Sequence, residues 1–187
     1  MSIRGTIEVI TKLAQHGVVE RYAIAGAVAA LNYIEPTLTE DLDILISTSH
    51  FENHPSGLLL LGPIEKALAA MGYRERTDIG YMIEGWPVQF LPVSSPLEED
   101  ALEQAIEIDI DDAGASSVKA RCLRAEHLIA IALKVGRLKD LARIEAFLTQ
   151  DSVDLVALER VLEKHDLMGL WRQFCIKAGI KDPLAIK

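Results

Sequence analysis

The chain has 187 residues, of which 50% are hydrophobic and 25% are charged, and two are cysteines. This composition supports a buried core, so it excludes a disordered chain and a small disulfide-stabilised protein. The formal net charge of −9 argues against a surface that binds nucleic acid along its whole extent, because phosphate binding needs clustered lysine and arginine.

The charge is unevenly distributed along the chain. Residues 1–118 carry 6 basic and 19 acidic side chains, whereas residues 119–187 carry 13 and 9. A polyanion should therefore favour the C-terminal third. No apolar run approaches the ~20 residues of a membrane-spanning helix, so we expect a soluble, cytoplasmic protein that does not contact a membrane.

Hydrophobic periodicity and turn residues predict an α/β (α+β) fold, a mixed sheet with flanking helices followed by a helical C-terminal subdomain. In chain order we predict helix 3–15, strand 21–25, helix 27–34, strand 41–47, a long loop 47–57, helix 63–71, a meander of three short strands over 73–93, a helix starting at Pro96, strands 106–110 and 118–123, and helices 125–148, 153–164 and 167–177.

Two of these helices carry specific boundary signals. Ser95 is placed to cap the helix that starts at Pro96, with Glu98 completing a capping box. Gly136 is expected to kink or break helix 125–148. A boundary near residue 124 separates an α/β domain, residues 1–124, from a helical subdomain, residues 125–187.

The segment with the clearest chemical content is the start of the second predicted strand. Residues two apart in a strand lie on one face, so Asp41 and Asp43 point the same way with Cα atoms about 6.6 Å apart. Two converging carboxylates repel each other unless a cation lies between them, and hard oxygen ligands suit Mg²⁺. A solvated strand start would have the same pattern.

A glycine turn precedes this acid pair. Gly26 ends the first strand and opens a helix, where unpaired backbone N–H groups can bind phosphate. Close packing of helix on strand would equally require a glycine there. Taken together, a phosphate site and a metal-binding acid pair on adjacent strands suit phosphoryl or nucleotidyl transfer from a nucleoside triphosphate.

These residues resemble the nucleotidyltransferase superfamily of the DNA polymerase beta type, and within it the AbiEii-like branch of bacterial toxin-antitoxin systems. The shared pattern is an apolar strand, a small-residue turn at Ala25-Gly26-Ala27, and Asp41-Leu42-Asp43 on the next strand, with Thr39 just ahead. The resemblance implies that Asp41 and Asp43 are catalytic and bind Mg²⁺, and that Gly26, Ala27 and Thr39 lie at the nucleotide.

The later segment "KVGRLKDLARI" is similar to the basic helix of that branch. This similarity implies that Lys134, Arg137, Lys139 and Asp140 lie on the substrate side. A solvated helix face would account for Lys139 and Arg143 as well. Residues 77–118 contain no lysine or arginine, so positive charge returns only after the predicted site.

The chain departs from the family pattern at the turn and at the third carboxylate. Ala27 offers no hydroxyl to hold a phosphate. The segment "PVQFLPV" places Gln89 where a third carboxylate usually lies, and an amide can neither accept the acceptor's proton nor act as an anionic metal ligand. Asp109 and Asp111 are alternative carboxylates, although an exposed acidic strand edge explains them better.

The histidines and cysteines indicate no further site. His127 is expected to be a structural histidine, and His16, His50, His54 and His165 lack the spacing of a zinc site. Cys122 and Cys175 are expected to be buried and not to bind metal.

The resulting expectation is a Mg²⁺-dependent nucleotidyltransferase that uses a nucleoside triphosphate. Its acceptor could be RNA, a protein hydroxyl or a small molecule. The alternative is a catalytically silent member of the same fold that binds a nucleotide or a protein. A third interpretation is one component of a toxin-antitoxin pair with a small partner protein.

Overall fold

The computed structural model describes residues 2–36, 39–47, 61–110 and 117–185. Within those ranges the strands are β1 (Tyr22–Ile24), β2 (Leu42–Ile46), β3 (Tyr81–Ile83), β4 (Trp86–Pro92), β5 (Ile106–Ile110) and β6 (Val118–Cys122), and the helices are α1 (Ile3–Gln15), α2 (Gly26–Ala30), α3 (Gly62–Ala70), α4 (Pro96–Glu103), α5 (Ala125–Val135), α6 (Leu138–Thr149), α7 (Leu155–Lys164) and α8 (Met168–Ala178).

The strands form one mixed sheet in the order β3-β4-β2-β1-β6-β5. β1 runs antiparallel to β2 and parallel to β6, and β2 runs parallel to β4. The outer pairs β3–β4 and β5–β6 are antiparallel. The predicted mixed α/β architecture with a helical C-terminal region is therefore confirmed.

Most element boundaries lie within a few residues of the sequence predictions. Helix α1 has the predicted bounds, and the cap of α4 is confirmed because Ser95 Oγ accepts a hydrogen bond from the Glu98 backbone N–H at 3.4 Å. Helix α2 is shorter than predicted and ends at Ala30. The predicted loop 47–57 lies almost wholly outside the described residues.

One prediction about continuity is confirmed and one is wrong. The expected break at Gly136 is present, because Gly136 takes a left-handed conformation (φ 72°) that ends α5 and divides the segment 125–148 into two helices. The prediction of three strands in the meander is wrong. The meander contains two strands, and its first predicted piece forms only an isolated bridge between Arg76 and Tyr81.

Helix α5 makes the most helix–helix contacts among the described residues. It packs against α2, α4, α6, α7 and α8. Ile129 of α5 and Trp171 of α8 are fully buried within the same hydrophobic core as Ile44 of β2. The core therefore continues across residue 124, and the proposed division into two domains stays a prediction.

Among the residues that the structure describes, no helix combines the length and the apolar character needed to cross a membrane.

Candidate functional site

The central feature of the site is the contact between the turn after β1 and the start of β2. Because β1 and β2 are antiparallel, the end of β1 meets the beginning of β2, and the Ala25 N–H donates to the Asp43 carbonyl oxygen at 2.9 Å. Gly26 follows with φ +59°. A Cβ added to Gly26 would lie 2.0 Å from Asp43 Oδ2, so both the backbone conformation and the space require glycine.

The two aspartates lie on the same side of the sheet. Asp41 immediately precedes β2, and Asp43 is its second residue. Burial raises the pKa of the Asp43 carboxyl, and repulsion from Asp41 raises it further. No hydrogen bond reaches the Asp43 carboxylate from the described part of the chain. Thr39 Oγ1 donates to the Asp41 carbonyl oxygen at 3.1 Å and holds the chain that enters β2.

A cavity of about 660 Å³ opens beside the acid pair; Asp41 lines it, whereas Asp43 does not. Ala27, Thr39 and Asp41 line one side of it, and Lys139 and Arg143 of α6 line another. Lys139, Arg137 and Arg143 lower the pKa of Asp43 against the effects of burial and of Asp41, so their charges act at the acid pair. The cavity therefore brings a negative and a positive group together.

Asp140 fixes the two arginines of this basic group. Its carboxylate is 3% exposed, Arg137 Nε lies 2.6 Å from its Oδ2, and Arg143 Nη1 lies 3.5 Å from its Oδ1. Asp140 thus faces the arginines, whereas the family resemblance implies a substrate-side position. A solvated helix face is the alternative explanation that the sequence offers for Lys139 and Arg143; the spacing of four places both on one helix face, and in the structure both line the cavity.

Lys134 does not line the cavity beside Asp41. It lines a smaller pocket of about 230 Å³ together with Lys164 and His165. The break at Gly136 separates Lys134 on α5 from Arg137 and Lys139, which belong to the start of α6. The structure therefore does not bring Lys134 to the cavity beside the acid pair.

Gln89 lies beside Asp43. The two residues are register partners in the parallel pair β2–β4, so their side chains share a face of the sheet. Pro87, two residues earlier on β4, lines the cavity. Gln89 is thus on the cavity side, where the sequence comparison expects a third carboxylate.

Asp109 is too distant to replace that carboxylate, so this alternative is wrong. It lies on β5, the sheet edge that β1 and β6 separate from β2, and it accepts a hydrogen bond from Ser117 Oγ at 3.3 Å. Asp111, His50 and His54 lie outside the described residues. His127 is 1% exposed, as expected of a structural histidine.

The residues at the acid pair fit Mg²⁺. Asp41 and Asp43 supply hard oxygen ligands, and the missing Cβ of Gly26 leaves room against Asp43 Oδ2. Within the described ranges, no group of three or more histidine, cysteine, aspartate or glutamate side chains is arranged to hold a metal ion. Two carboxylates completed by substrate phosphates and water are a common Mg²⁺ environment.

No protein-family model and no curated protein matches the chain. Among the solved structures that are similar to the chain are two of ANT(2'')-Ia. One is the crystal structure of ANT(2'')-Ia in complex with adenylyl-2''-tobramycin, with 16% identity and a TM-score of 0.47 over 83% of this chain and 92% of the other. The second is the solution structure of the antibiotic-resistance factor ANT(2'')-Ia, with 16% identity and a TM-score of 0.44 over 86% and 91%. Both similarities are remote, and neither carries an inference about activity.

Proposed function

We propose that the chain is a nucleotidyltransferase that moves a nucleotide from a nucleoside triphosphate to a hydroxyl acceptor with the help of Mg²⁺. The observation that carries this proposal is the cavity lined by Asp41, Lys139 and Arg143, beside Asp43, whose pKa responds to the charges of all three. A nucleoside triphosphate with a bound metal needs carboxylates at one part of its site and cations at another.

Asp41 and Asp43 would hold the metal ion, which when bound withdraws charge from the phosphate that is attacked. Gly26 keeps the space next to Asp43 open, and Ala27 and Thr39 line the same side of the cavity. Ala27 has no hydroxyl, so phosphate contacts at this turn must come from the backbone.

In this proposal Lys139 and Arg143 of α6, and Arg137 at its N-cap, supply positive charge to the triphosphate. Lys139 and Arg143 would bind the triphosphate and offset the charge of the pyrophosphate that leaves. Arg137, whose side chain is 62% exposed, would add positive charge at the solvent-exposed part of the site. Lys134 is left out of this group because it lines the other pocket.

Gln89 favours a second candidate function, binding without transfer. An amide beside Asp43 cannot take the proton of an acceptor hydroxyl. The chain would then bind a nucleotide, or a protein partner, and catalyse little or nothing.

The branch and the acceptor are finer proposals. Membership of the AbiEii-like branch, and with it a role in a toxin-antitoxin pair with a small partner protein, follows only from the motif resemblance. A growth assay on cells that express the chain with and without the product of an adjacent small gene tests it. The acceptor would be RNA, a protein hydroxyl or a small hydroxyl compound.

A ligand-stabilisation experiment tests the proposal directly. Each of the four common ribonucleoside triphosphates with Mg²⁺ is added separately, and at least one should raise the melting temperature, because a ligand that binds only the native state stabilises it. The double variant Asp41→Asn, Asp43→Asn should lose that shift. A shift that survives the double substitution would place the nucleotide elsewhere, and no shift with any triphosphate would contradict nucleotide binding.

A further inference from the structure

Transfer to a hydroxyl requires a group that receives the hydroxyl proton. In the proposed site Gln89 cannot do so, and Asp41 and Asp43 are assigned to the metal ion. If the chain catalyses transfer, another group must receive the proton, and a further carboxylate in the cavity is suited to that role. Besides Asp41, the described carboxylates that line the cavity are Glu40 and Asp78.

Asp78 belongs to a tight turn just before β3. The Thr77 N–H donates to the Gly80 carbonyl oxygen at 3.0 Å, and the Gly80 N–H donates to Thr77 Oγ1 at 3.0 Å. A Cβ on Gly80 would lie 2.0 Å from the Val88 carbonyl oxygen and 3.3 Å from the Gln89 Cα. The turn is thus packed directly on β4 next to Gln89, and it presents Asp78 to the cavity from that side.

The surroundings of Asp78 leave its carboxylate available. Arg76, two residues earlier, donates to Glu65 at 3.3 Å and to the Tyr81 hydroxyl at 3.0 Å. No ion pair with Asp78 is formed by the described residues. Glu40 is the weaker candidate, because it directly precedes Asp41 on the metal-binding side of the cavity, whereas Asp78 reaches the cavity from the side of Gln89.

We infer that Asp78 is the acceptor-side carboxylate of this site, a conclusion that rests on the proposed function. The acceptor oxygen forms a bond to the α-phosphorus of the triphosphate, and its proton passes to the Asp78 carboxylate. The bond between the α-phosphorus and the bridging oxygen breaks, and pyrophosphate leaves with its charge offset by Lys139 and Arg143. Asp78 then releases the proton to water.

The test compares Asp78→Asn with the matched control Asp109→Asn, which removes an exposed acid at the far edge of the sheet. Transfer is followed with α-labelled triphosphates and Mg²⁺, using water, bulk RNA, a hydroxyl-rich protein and small polyols as acceptors. Asp78→Asn should lower kcat by ~10²- to 10⁴-fold, the usual range for general-base catalysis. The shift in melting temperature caused by the triphosphate should remain at its wild-type size.

Two further measurements separate proton transfer from a structural role. The wild-type pH–rate profile should have an acid limb that Asp78→Asn lacks. Restoring a carboxylate on the neighbouring strand, in the double variant Asp78→Asn, Gln89→Asp, should recover part of the lost kcat.

The outcomes distinguish this inference from the proposed function. If the wild type transfers nucleotide and Asp78→Asn behaves like Asp109→Asn, Asp78 is not the proton acceptor, while the nucleotidyltransferase proposal stands. If the wild type binds triphosphate but transfers nothing to any acceptor, including water, both the transfer reaction and the role of Asp78 are overturned, and the binding function remains. If the wild type fails to bind any triphosphate, the binding function, the transfer reaction and the role of Asp78 are all overturned.

Discussion

Asp43 is a half-buried carboxylate and Asp100 is a buried one, and their surroundings are opposite. Asp43 has a neighbouring carboxylate and no hydrogen bond from the described residues, and burial raises its pKa. Asp100 receives hydrogen bonds from Gln104 Nε2 at 2.7 Å and Lys164 Nζ at 2.8 Å, and lies 2.9 Å from His165 Nε2. Burial alone would raise the pKa of Asp100, but these hydrogen bonds outweigh it and hold the pKa well below its usual range.

The difference separates a structural carboxylate from a functional one. Asp100 joins α4 to α5 and to the end of α7, and its partners are all supplied by the protein. Asp43 is held in place by its strand and has no hydrogen-bond partner among the described residues, which leaves its carboxylate open to a cation or a substrate. Perturbation of a carboxylate toward its neutral form, beside a cavity, is a common mark of a binding or catalytic site.

The largest expected effect comes from replacing the functional carboxylate. Asp43→Asn should reduce nucleotide transfer by more than ~100-fold, because loss of residues that merely support metal ligands already costs 10- to 100-fold. The free energy of unfolding of the apo protein should stay equal or rise, since one of two repelling charges is removed. Denaturant unfolding and labelled-nucleotide transfer measure the two effects, and a large loss of apo stability would contradict the contrast with Asp100.

The structural carboxylate should respond in the opposite way. Asp100→Ala should lower the free energy of unfolding by about 2 kcal/mol, because the largely buried rings of His127 and His165 lose the carboxylate that faces them. Asp109→Ala, on the exposed edge strand, should change it by no more than about 0.5 kcal/mol. Equal effects of the two substitutions in urea unfolding would show that the Asp100 cluster is not structural.

Much of the site could be predicted from the sequence, because its parts are local. The Asp41-x-Asp43 alternation and the glycine at position 26 each follow from the geometry of one strand or one turn. The role of Asp140 could not be predicted, since an acid between two basic residues on a helix looks the same whether it faces a substrate or binds its own arginines. The burial of Asp140 and its contacts with Arg137 and Arg143 show that it binds its own arginines.

The remaining errors have the same physical origin, long-range packing. Asp109 has the right residue type and spacing, but strand order places it at the opposite edge of the sheet. Lys134 shares a sequence segment with Lys139, and a single left-handed glycine separates their positions. Asp78 carries no sequence signal, because it reaches the cavity through a turn that is fixed by tertiary contacts.

Gly26→Ala tests the contrast between Asp43 and Asp100, because it should displace the Asp43 carboxylate. The added Cβ would lie 2.0 Å from Asp43 Oδ2, so the aspartate must move and nucleotide binding should weaken by at least about tenfold. Gly17→Ala is the matched control, since Gly17 also has a positive φ (+68°) but has nothing within 4 Å of an added Cβ. Both variants should lose about 1–2 kcal/mol of stability from left-handed backbone strain. Equal triphosphate affinities would contradict the proposed role of Gly26.

The smallest expected effect concerns pH and the structural cluster. Burial lowers the pKa of His127, and the neighbouring His165 lowers it further. Asp100, which lies 3.4 Å from His127 Nε2, and Glu126 act in the opposite direction. Lys164 adds another positive charge to the cluster. A histidine whose folded-state pKa is depressed stabilises the protein at pH values above its unfolded pKa of about 6.5, and this stability is lost as the pH falls toward the folded value. The free energy of unfolding should therefore decline between pH 7 and pH 5, by at most about 1.4 kcal/mol per pH unit. His127→Gln should flatten that decline in urea titrations at several pH values, and an unchanged slope would assign the pH dependence to other groups.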